Sequence, residues 1–284
     1  MLNAEQRRCW QHDGYAVLPD FTSPHDVAGA CRRAAELVDA FDTDAQTSAS
    51  VFSTRDRALV ADAALLASAH AVHCFFEEEA FSLDGQLQVP KAQAINKIGH
   101  ALHELDPVFR AFSHGPPLAE LAAELGLLQP LVWQSQLIFK QPRIGGEVGW
   151  HQDGSFFATT PQTVTTFWFA LEDATLDNGC LWVQPGGQHT PLREAFVRST
   201  AAPTRLHMHA LDATPWPTLA QARPLPVRAG TLVVFGGQLP HYSAANRSPR
   251  SRLAYTLHAT DASAAYSPLN WLQPDAARAP RGFV

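Results

Sequence analysis

The sequence predicts a mainly β protein, an antiparallel sandwich or barrel with a helical N-terminal flank. Three observations predict it. Short strand-like runs recur at about 132–140, 164–171, 180–184, 231–235 and 252–258, punctuated by Gly and Pro. No regular helical pattern separates them, as a parallel α/β sheet would require. The first third of the chain, by contrast, carries the period and capping residues of helices.

Taken in order, Asn3 followed by Gln6 opens a helix over about 3–13, and Ser23-Pro24 followed by Asp26 opens another over about 24–41. In the second, proline takes the first helical position, where a missing N–H is no loss. An alanine-rich stretch over about 57–79 reads as a third helix, ending in Glu77-Glu78-Glu79, an acidic run expected on a solvated face. Asp84-Gly85 then sits between short apolar segments as a hairpin turn does. Short helices near 107–113 and 117–125 interrupt the strands. From about 186 to 228 the chain is rich in Pro, Thr and polar residues and has no clear period. That stretch reads as a long insertion between strands, the kind of loop that lines a site. With neither an internal repeat nor a linker, residues 1–284 read as a single domain with a helical flank at about 1–80 and a β core at about 81–274.

A chain of 284 residues can bury roughly 75% of its unfolded surface, so it needs no staples. Hydrophobic residues at 46% and charged residues at 17% exclude intrinsic disorder. The net charge is −6 and the lysines are Lys91, Lys97 and Lys140 only, which argues against a nucleic-acid or anionic-membrane partner. Cys9, Cys31, Cys74 and Cys180 stand far apart without a C-x-x-C pair, as free thiols in a reducing compartment do. No apolar h-region follows MLNAEQRRCW, and no 18-residue apolar run occurs. The expectation is a soluble, cytoplasmic monomer.

The chemistry-bearing segment is Gly149-Trp150-His151-Gln152-Asp153-Gly154. On an extended strand, residues i and i+2 point to one face, so His151 and Asp153 stand side by side. A non-haem iron(II) site takes two histidines and one carboxylate on one octahedral face and leaves the opposite face open. The third ligand has to come from a distant strand. His241, after the apolar run Thr231 to Phe235, is the candidate. Further on, Arg252 opens another strand-like run, and an inward guanidinium there suits the distal carboxylate of a 2-oxoacid such as 2-oxoglutarate. Arg250 lies on the same strand face and competes for that role. Two other histidine pairs read as structural: His207 and His209 as solvated residues of the irregular insertion, His100 and His103 as packing residues of a short segment.

The chain resembles the phytanoyl-CoA dioxygenase family of iron(II)- and 2-oxoglutarate-dependent oxygenases. The resemblance runs from Asp13-Gly14-Tyr15 to Pro274. It is densest in INKIGHALHELDPVF (95–109), QSQLIFKQPRIGGEVGWHQDGSFF (134–157), LEDATLDNGCLW (171–182) and SPLNWLQP (267–274). It implies a double-stranded β-helix, a cupin-like jelly roll, with N-terminal helices packed on one sheet. It also implies Fe(II) on His151, Asp153 and His241, and 2-oxoglutarate on Arg252. Lys97, Gln136 and Trp168 match cosubstrate-pocket positions, and Ser243 matches a family hydroxyl; Gln136 replaces the family's common apolar residue. Asn178-Gly179 resembles a structural tight turn. The implied reaction converts 2-oxoglutarate and dioxygen to succinate and carbon dioxide while hydroxylating a C–H of a small organic substrate. Asp153 favours hydroxylation over halogenation, since it fills the place a halide would take. Two other readings use the same residues: a metal- and oxoacid-binding module without turnover, and a zinc hydrolase.

Overall fold

A computed structural model describes residues 2–42, 51–52, 62–82, 84, 86–275 and 277–284. Asn3 caps α1 (Ala4–Asp13) with both halves of a capping box, and Ser23 accepts from Asp26 N at the start of α2 (Pro24–Ala40). Between them lies β1 (Tyr15–Leu18). β2 (Val51–Phe52), α3 (Asp62–Ser68), β3 (Val72–Glu77) and β4 (Ile95–His100) follow. The short helices α4 (Leu102–Leu105), α5 (Pro107–Ser113) and α6 (Pro116–Glu124) lead into β5 (Pro130–Lys140). Then come β6 (Val148–His151), β7 (Thr159–Thr160), β8 (Thr165–Ala170), β9 (Leu181–Val183), β10 (Glu194–Arg198) and β11 (Leu206–Ala210). The chain ends with β12 (Arg223–Leu225), β13 (Leu232–Gly236), β14 (His241–Ser243), β15 (Arg252–Asp261) and β16 (Ala265–Tyr266).

Eight strands form a major sheet in the order β1-β13-β8-β15-β5-β4-β3-β2, and four form a minor sheet in the order β12-β9-β14-β6. All pairings are antiparallel except β2 with β3. The two-residue period of the strands splits the major sheet into two faces. Phe167, Phe169, Leu232, Val234, Leu253, Tyr255 and Leu257 point outward and pack with Ala30, Ala34 and Val38 of α2 and with Phe109, Leu118 and Leu121 of α5 and α6. Trp168, Ala170, Val233, Phe235 and Ala254 point inward and meet Leu181, Val183 and Leu225 of the minor sheet. This is the double-stranded β-helix with helices on one sheet.

The third helix is a correction. Within the stretch expected as helical over 57–79, residues 57–61 lie outside the described residues, the helix α3 stops at Ser68, and Val72–Glu77 is a strand paired with β4. β-branched and aromatic side chains at Val72, Phe75 and Phe76 fit a pleated, two-sided environment better than a helix. Strands therefore begin before residue 81. Glu77 is likewise not on a solvated face: it is 2% exposed. The hairpin expected at Asp84-Gly85 is flanked by an antiparallel bridge from Phe81 to Leu87, while Gly85 lies outside the described residues. The insertion is not irregular throughout. It holds the antiparallel pair β10–β11, and β12 near its end joins the minor sheet.

Asp106 ties the helical layer together. Its Oδ1 accepts from Val108 N and Phe109 N at 3.0 and 3.1 Å, capping α5, while its Oδ2 accepts from Arg33 Nε of α2 at 2.8 Å. Asp106→Ala removes the cap and a partly exposed ion pair, for an expected loss of about 1–2 kcal/mol. For a chain of this size that is a fall in Tm of roughly 2–8 °C. An unchanged Tm would mean that packing alone seats α5.

Candidate metal centre

The segment expected to carry His151 and Asp153 on one face does so in a particular way. His151 ends β6, Gln152 is extended (φ −127°, ψ 128°), and Asp153 opens a short 3-10 turn, Asp153–Ser155. The extended Gln152 preserves the i, i+2 relation across the end of the strand. β14 pairs with β6 so that His241 lies opposite His151. Asp153 Oδ1 is 3.7 Å from His151 Nε2 and 3.7 Å from His241 Nε2, and the two imidazole centroids are 4.0 Å apart. One ligand atom from each of the three residues falls within 4.8 Å of the others.

The tautomers are fixed by the backbone. His151 Nδ1 lies 2.8 Å from Gly149 O and His241 Nδ1 lies 3.0 Å from Leu239 O. A carbonyl only accepts, so each Nδ1 carries a proton and Nε2 is the atom that each ring turns toward Asp153. Burial opposes the charge on Asp153, but the imidazoles of His241, His258 and His151, when they carry a second proton, outweigh it and hold the carboxyl far below the usual carboxylate range. Two imidazole Nε2 atoms, with a metal in place of any proton there, and an ionised carboxylate fit a divalent transition metal.

Of the remaining sequence candidates, Arg252, Lys97, Gln136 and Trp168 fall on neighbouring rows of the inner face of the major sheet, and Ser243 lies on β14 of the minor sheet. Register places Lys97 opposite Ile138, and Ile138 opposite Ala254; the next row runs Gly99, Gln136, Thr256, Trp168, Val233. Arg252 opens β15 at 2% exposure, its guanidinium 5.6 Å from the Trp168 ring centroid. Arg250 is exposed in the bend before the strand, so the two do not share an inward face. Arg252 Nε has no hydrogen-bond partner among the described residues, and Nη1 makes only a 3.4 Å contact to Ile138 O. Glu172, whose charge it feels, spends its two carboxylate oxygens on Ser251 Oγ and Leu253 N. Burial pulls Arg252 down to about 10, so it stays charged at neutral pH. Lys97 is brought down to about 7 by burial, opposed by Glu77. Gln136 donates to Gln134 Oε1 at 2.6 Å, and Ser243 Oγ donates to Gly179 O at 2.9 Å. Gly179 has φ +89°, and a Cβ there would meet Ala244 O at 2.7 Å, so the Asn178-Gly179 turn is structural as expected.

Four neighbours of the site were not legible as such. His258, on the inward parity of β15 with Arg252, has Nε2 3.4 Å from Asp153 Oδ2, and Thr166 Oγ1 donates to the same oxygen at 2.5 Å. Lys140, 1% exposed, donates to the carbonyls of Gly146, Ser243 and Ala244 and so joins β5 to the minor sheet. Burial pushes Glu77 up to about 7, while Asn96 and Gly146 N stabilise its anion. The parity of β15, at 252, 254, 256 and 258, was the signal available for His258. As for the other histidines, His207 and His209 are exposed on β11, a strand and not a loop, whereas His100 and His103 are buried against Ser68 and Ser135. Burial lowers His103 to about 3. Cys74 and Cys180 are buried and Cys9 and Cys31 half-buried, all four as free thiols.

A double-stranded β-helix with two histidines on paired strands and a carboxylate in the turn beside them has the build of a metal-dependent oxygenase. The chain belongs to the phytanoyl-CoA dioxygenase family, whose pattern it matches over residues 10–254. Its relatives include phytanoyl-CoA dioxygenase 1 of Oryza sativa subsp. japonica, 44% identical over 96% of this chain and 94% of that protein. Phytanoyl-CoA dioxygenase domain-containing protein 1 of Bos taurus is 41% identical over 96% of this chain and 95% of that one. Among solved structures, EctD from S. alaskensis with 2-oxoglutarate and 5-hydroxyectoine superposes with a TM-score of 0.63 at 21% identity, covering 99% of this chain and 88% of that one. The epimerase SnoN in complex with Fe3+, alpha ketoglutarate and nogalamycin RO superposes with a TM-score of 0.64 at 18% identity, covering 98% and 93%. These two share the fold. Among the described residues no helix is long and apolar enough to cross a membrane.

Proposed function

We propose that the chain is an Fe(II)- and 2-oxoglutarate-dependent dioxygenase that hydroxylates a C–H bond of a small organic substrate. The balance is substrate, dioxygen and 2-oxoglutarate going to alcohol, succinate and carbon dioxide. One observation carries this reading: a His-Asp-His set oriented by backbone carbonyls shares a barrel with a buried guanidinium whose Nε has no partner among the described residues. A hydrolase has no use for that second feature, whereas a 2-oxoacid supplies the missing carboxylate. EctD with 2-oxoglutarate bound is a structural neighbour in keeping with it.

The metal, when bound, supplies the oxidation of substrate by dioxygen. The protein's part is placement. Gly149 O and Leu239 O orient the two imidazoles, and Thr166 and His258 hold Oδ2 of Asp153 so that Oδ1 faces them. Arg252 takes the distal carboxylate of 2-oxoglutarate, with Trp168 beside it and Lys97 adding positive charge nearby. Inward apolar residues such as Val233, Phe235 and Val183 keep water from the interior.

The protein is expected to form succinate slowly without added substrate, to lose this with chelator and to regain it with Fe(II) but not Zn(II). Anaerobic Fe(II) with 2-oxoglutarate is expected to give a metal-to-ligand charge-transfer band. Restoration by zinc would sink the oxygenase reading.

We read the substrate as something other than a coenzyme A thioester. Lys91 donates to Asp39 O and Phe41 O, while Lys97 and Lys140 belong to the barrel, so the lysines that could meet coenzyme phosphates are already engaged. A pooled-metabolite screen for stimulated succinate formation, phytanoyl-CoA included, tests this; stimulation by the thioester would reverse it.

A further inference from the structure

Gln152 stands between two of the metal-site residues and belongs to neither the donor set nor the cosubstrate pocket. It is 0% exposed, and its extended backbone sends the side chain away from the face that His151 and Asp153 share. Its amide is fully used on that other side. Nε2 donates to Gln238 O at 2.7 Å and to Pro191 O at 3.1 Å, and Oε1 accepts from Arg193 N at 3.1 Å.

The partners give these bonds their meaning. Gly237-Gln238-Leu239-Pro240 delivers His241 and offers four successive carbonyls, each of which takes a donor. Gly154 N binds Gly237 O at 2.8 Å, Gln152 binds Gln238 O, His241 Nδ1 binds Leu239 O, and Gln184 N binds Pro240 O at 3.0 Å. The two residues flanking Asp153 therefore grip the segment that carries the third ligand. The strand ladder alone sets the spacing poorly, because the register of β14 on β6 shifts directly after the pair His241 and His151.

The other end of the amide reaches the insertion at residues 186–228. Arg193 gathers that segment: its Nε donates to Thr214 O at 3.0 Å, its Nη1 to Thr190 Oγ1 at 3.2 Å, and its guanidinium lies 4.6 Å from the Trp216 ring centroid. Phe196 of β10 in turn packs on Phe156, just past the Asp153 turn, with centroids 5.8 Å apart.

We infer that Gln152 is a positioning residue that sets His241 against His151 and Asp153 and couples metal binding to the seating of the 186–228 insertion. This rests on the metal-site reading above. By linkage, whatever holds the insertion down favours the metal, and the metal favours a seated insertion to the same degree.

Anaerobic Co(II) titration of the full chain tests it, read both as affinity and as the visible Co(II) spectrum, which reports ligand geometry. Gln152→Met is expected to weaken Co(II) binding by roughly tenfold to a hundredfold and to change the spectrum. Gln141→Met breaks comparable buried amide bonds, to Ile95 O at 2.8 Å and Ala92 O at 3.3 Å, away from the ligands, and is expected to change neither. Equal loss in both variants, or none in either, overturns the inference. If the methionine variant does not fold, hydrogen exchange on the unsubstituted protein decides. Co(II) is expected to slow exchange at both the Gly154 and the Arg193 amides, and protection at Gly154 without any at Arg193 overturns the coupling. An unsubstituted protein that binds no Co(II) overturns the metal-site reading as well, so the two failures are told apart.

Discussion

Asp153→Ala is expected to abolish succinate formation from 2-oxoglutarate while leaving the barrel folded. The two imidazoles that face Asp153 each keep their Nδ1 bond to a backbone carbonyl, so removing the carboxylate leaves them oriented. What is lost is the acceptor of Thr166 Oγ1 and of His258 Nε2, an expected destabilisation of about 1–3 kcal/mol. The metal, by contrast, loses the only charged ligand of its set. Metal content after anaerobic reconstitution should fall with activity, and thermal unfolding should show a single cooperative transition close to that of the parent. His151→Ala and His241→Ala are expected to behave alike. Full turnover with iron in any of the three would remove that residue from the donor set.

The parts of this site that were legible in the sequence are those written in local order. His151 and Asp153 could be paired because an extended residue between them preserves a two-residue period, and Gln152 is extended even though Asp153 itself has left the strand. His241 was reachable because the apolar run Thr231 to Phe235 announces a strand before it. The choice between Arg250 and Arg252 was not legible, since both have the same parity on an unbroken strand. A bend sets the two apart: Arg250 O accepts from Asn246 Nδ2 at 2.7 Å and from Ser248 Oγ at 3.0 Å, and regular pairing starts only at Arg252. Gln152 was hidden for a different reason, because its bonds go to residues 191, 193 and 238, which only the closed barrel brings near.

The misread elements share one cause. β3 follows an alanine-rich helix without any Gly or Pro between them, so local propensity runs on where tertiary pairing with β4 has already taken over. Glu77 looks like the start of a surface acidic run, yet it closes that strand inside the protein, where it takes a bond from Gly146 N at 3.2 Å. β11 alternates Leu206, Met208 and Ala210 with His207 and His209, a two-residue period that the surrounding Pro- and Thr-rich sequence obscures.

Arg252→Lys is expected to weaken 2-oxoglutarate binding by roughly thirtyfold or more. Lysine keeps the charge but loses the planar fork, and a single ammonium cannot present two parallel N–H donors to a carboxylate. The site offers little compensation from water, because Arg252 is 2% exposed and Trp168 lies against it. Breaking one side of a buried, hydrogen-bonded charge pair costs on the order of 2–5 kcal/mol, which sets the size of the expected loss. Arg250→Lys, made in parallel, is expected to leave affinity unchanged, since Arg250 is exposed in the bend before β15. Isothermal titration with 2-oxoglutarate under anaerobic Mn(II) measures both, and Mn(II) affinity itself should hold in each variant because neither arginine is a ligand. A larger loss in the Arg250 variant would move the anchor to the bend and require β15 to slide by two residues along its neighbours, carrying His258 away from Asp153 with it.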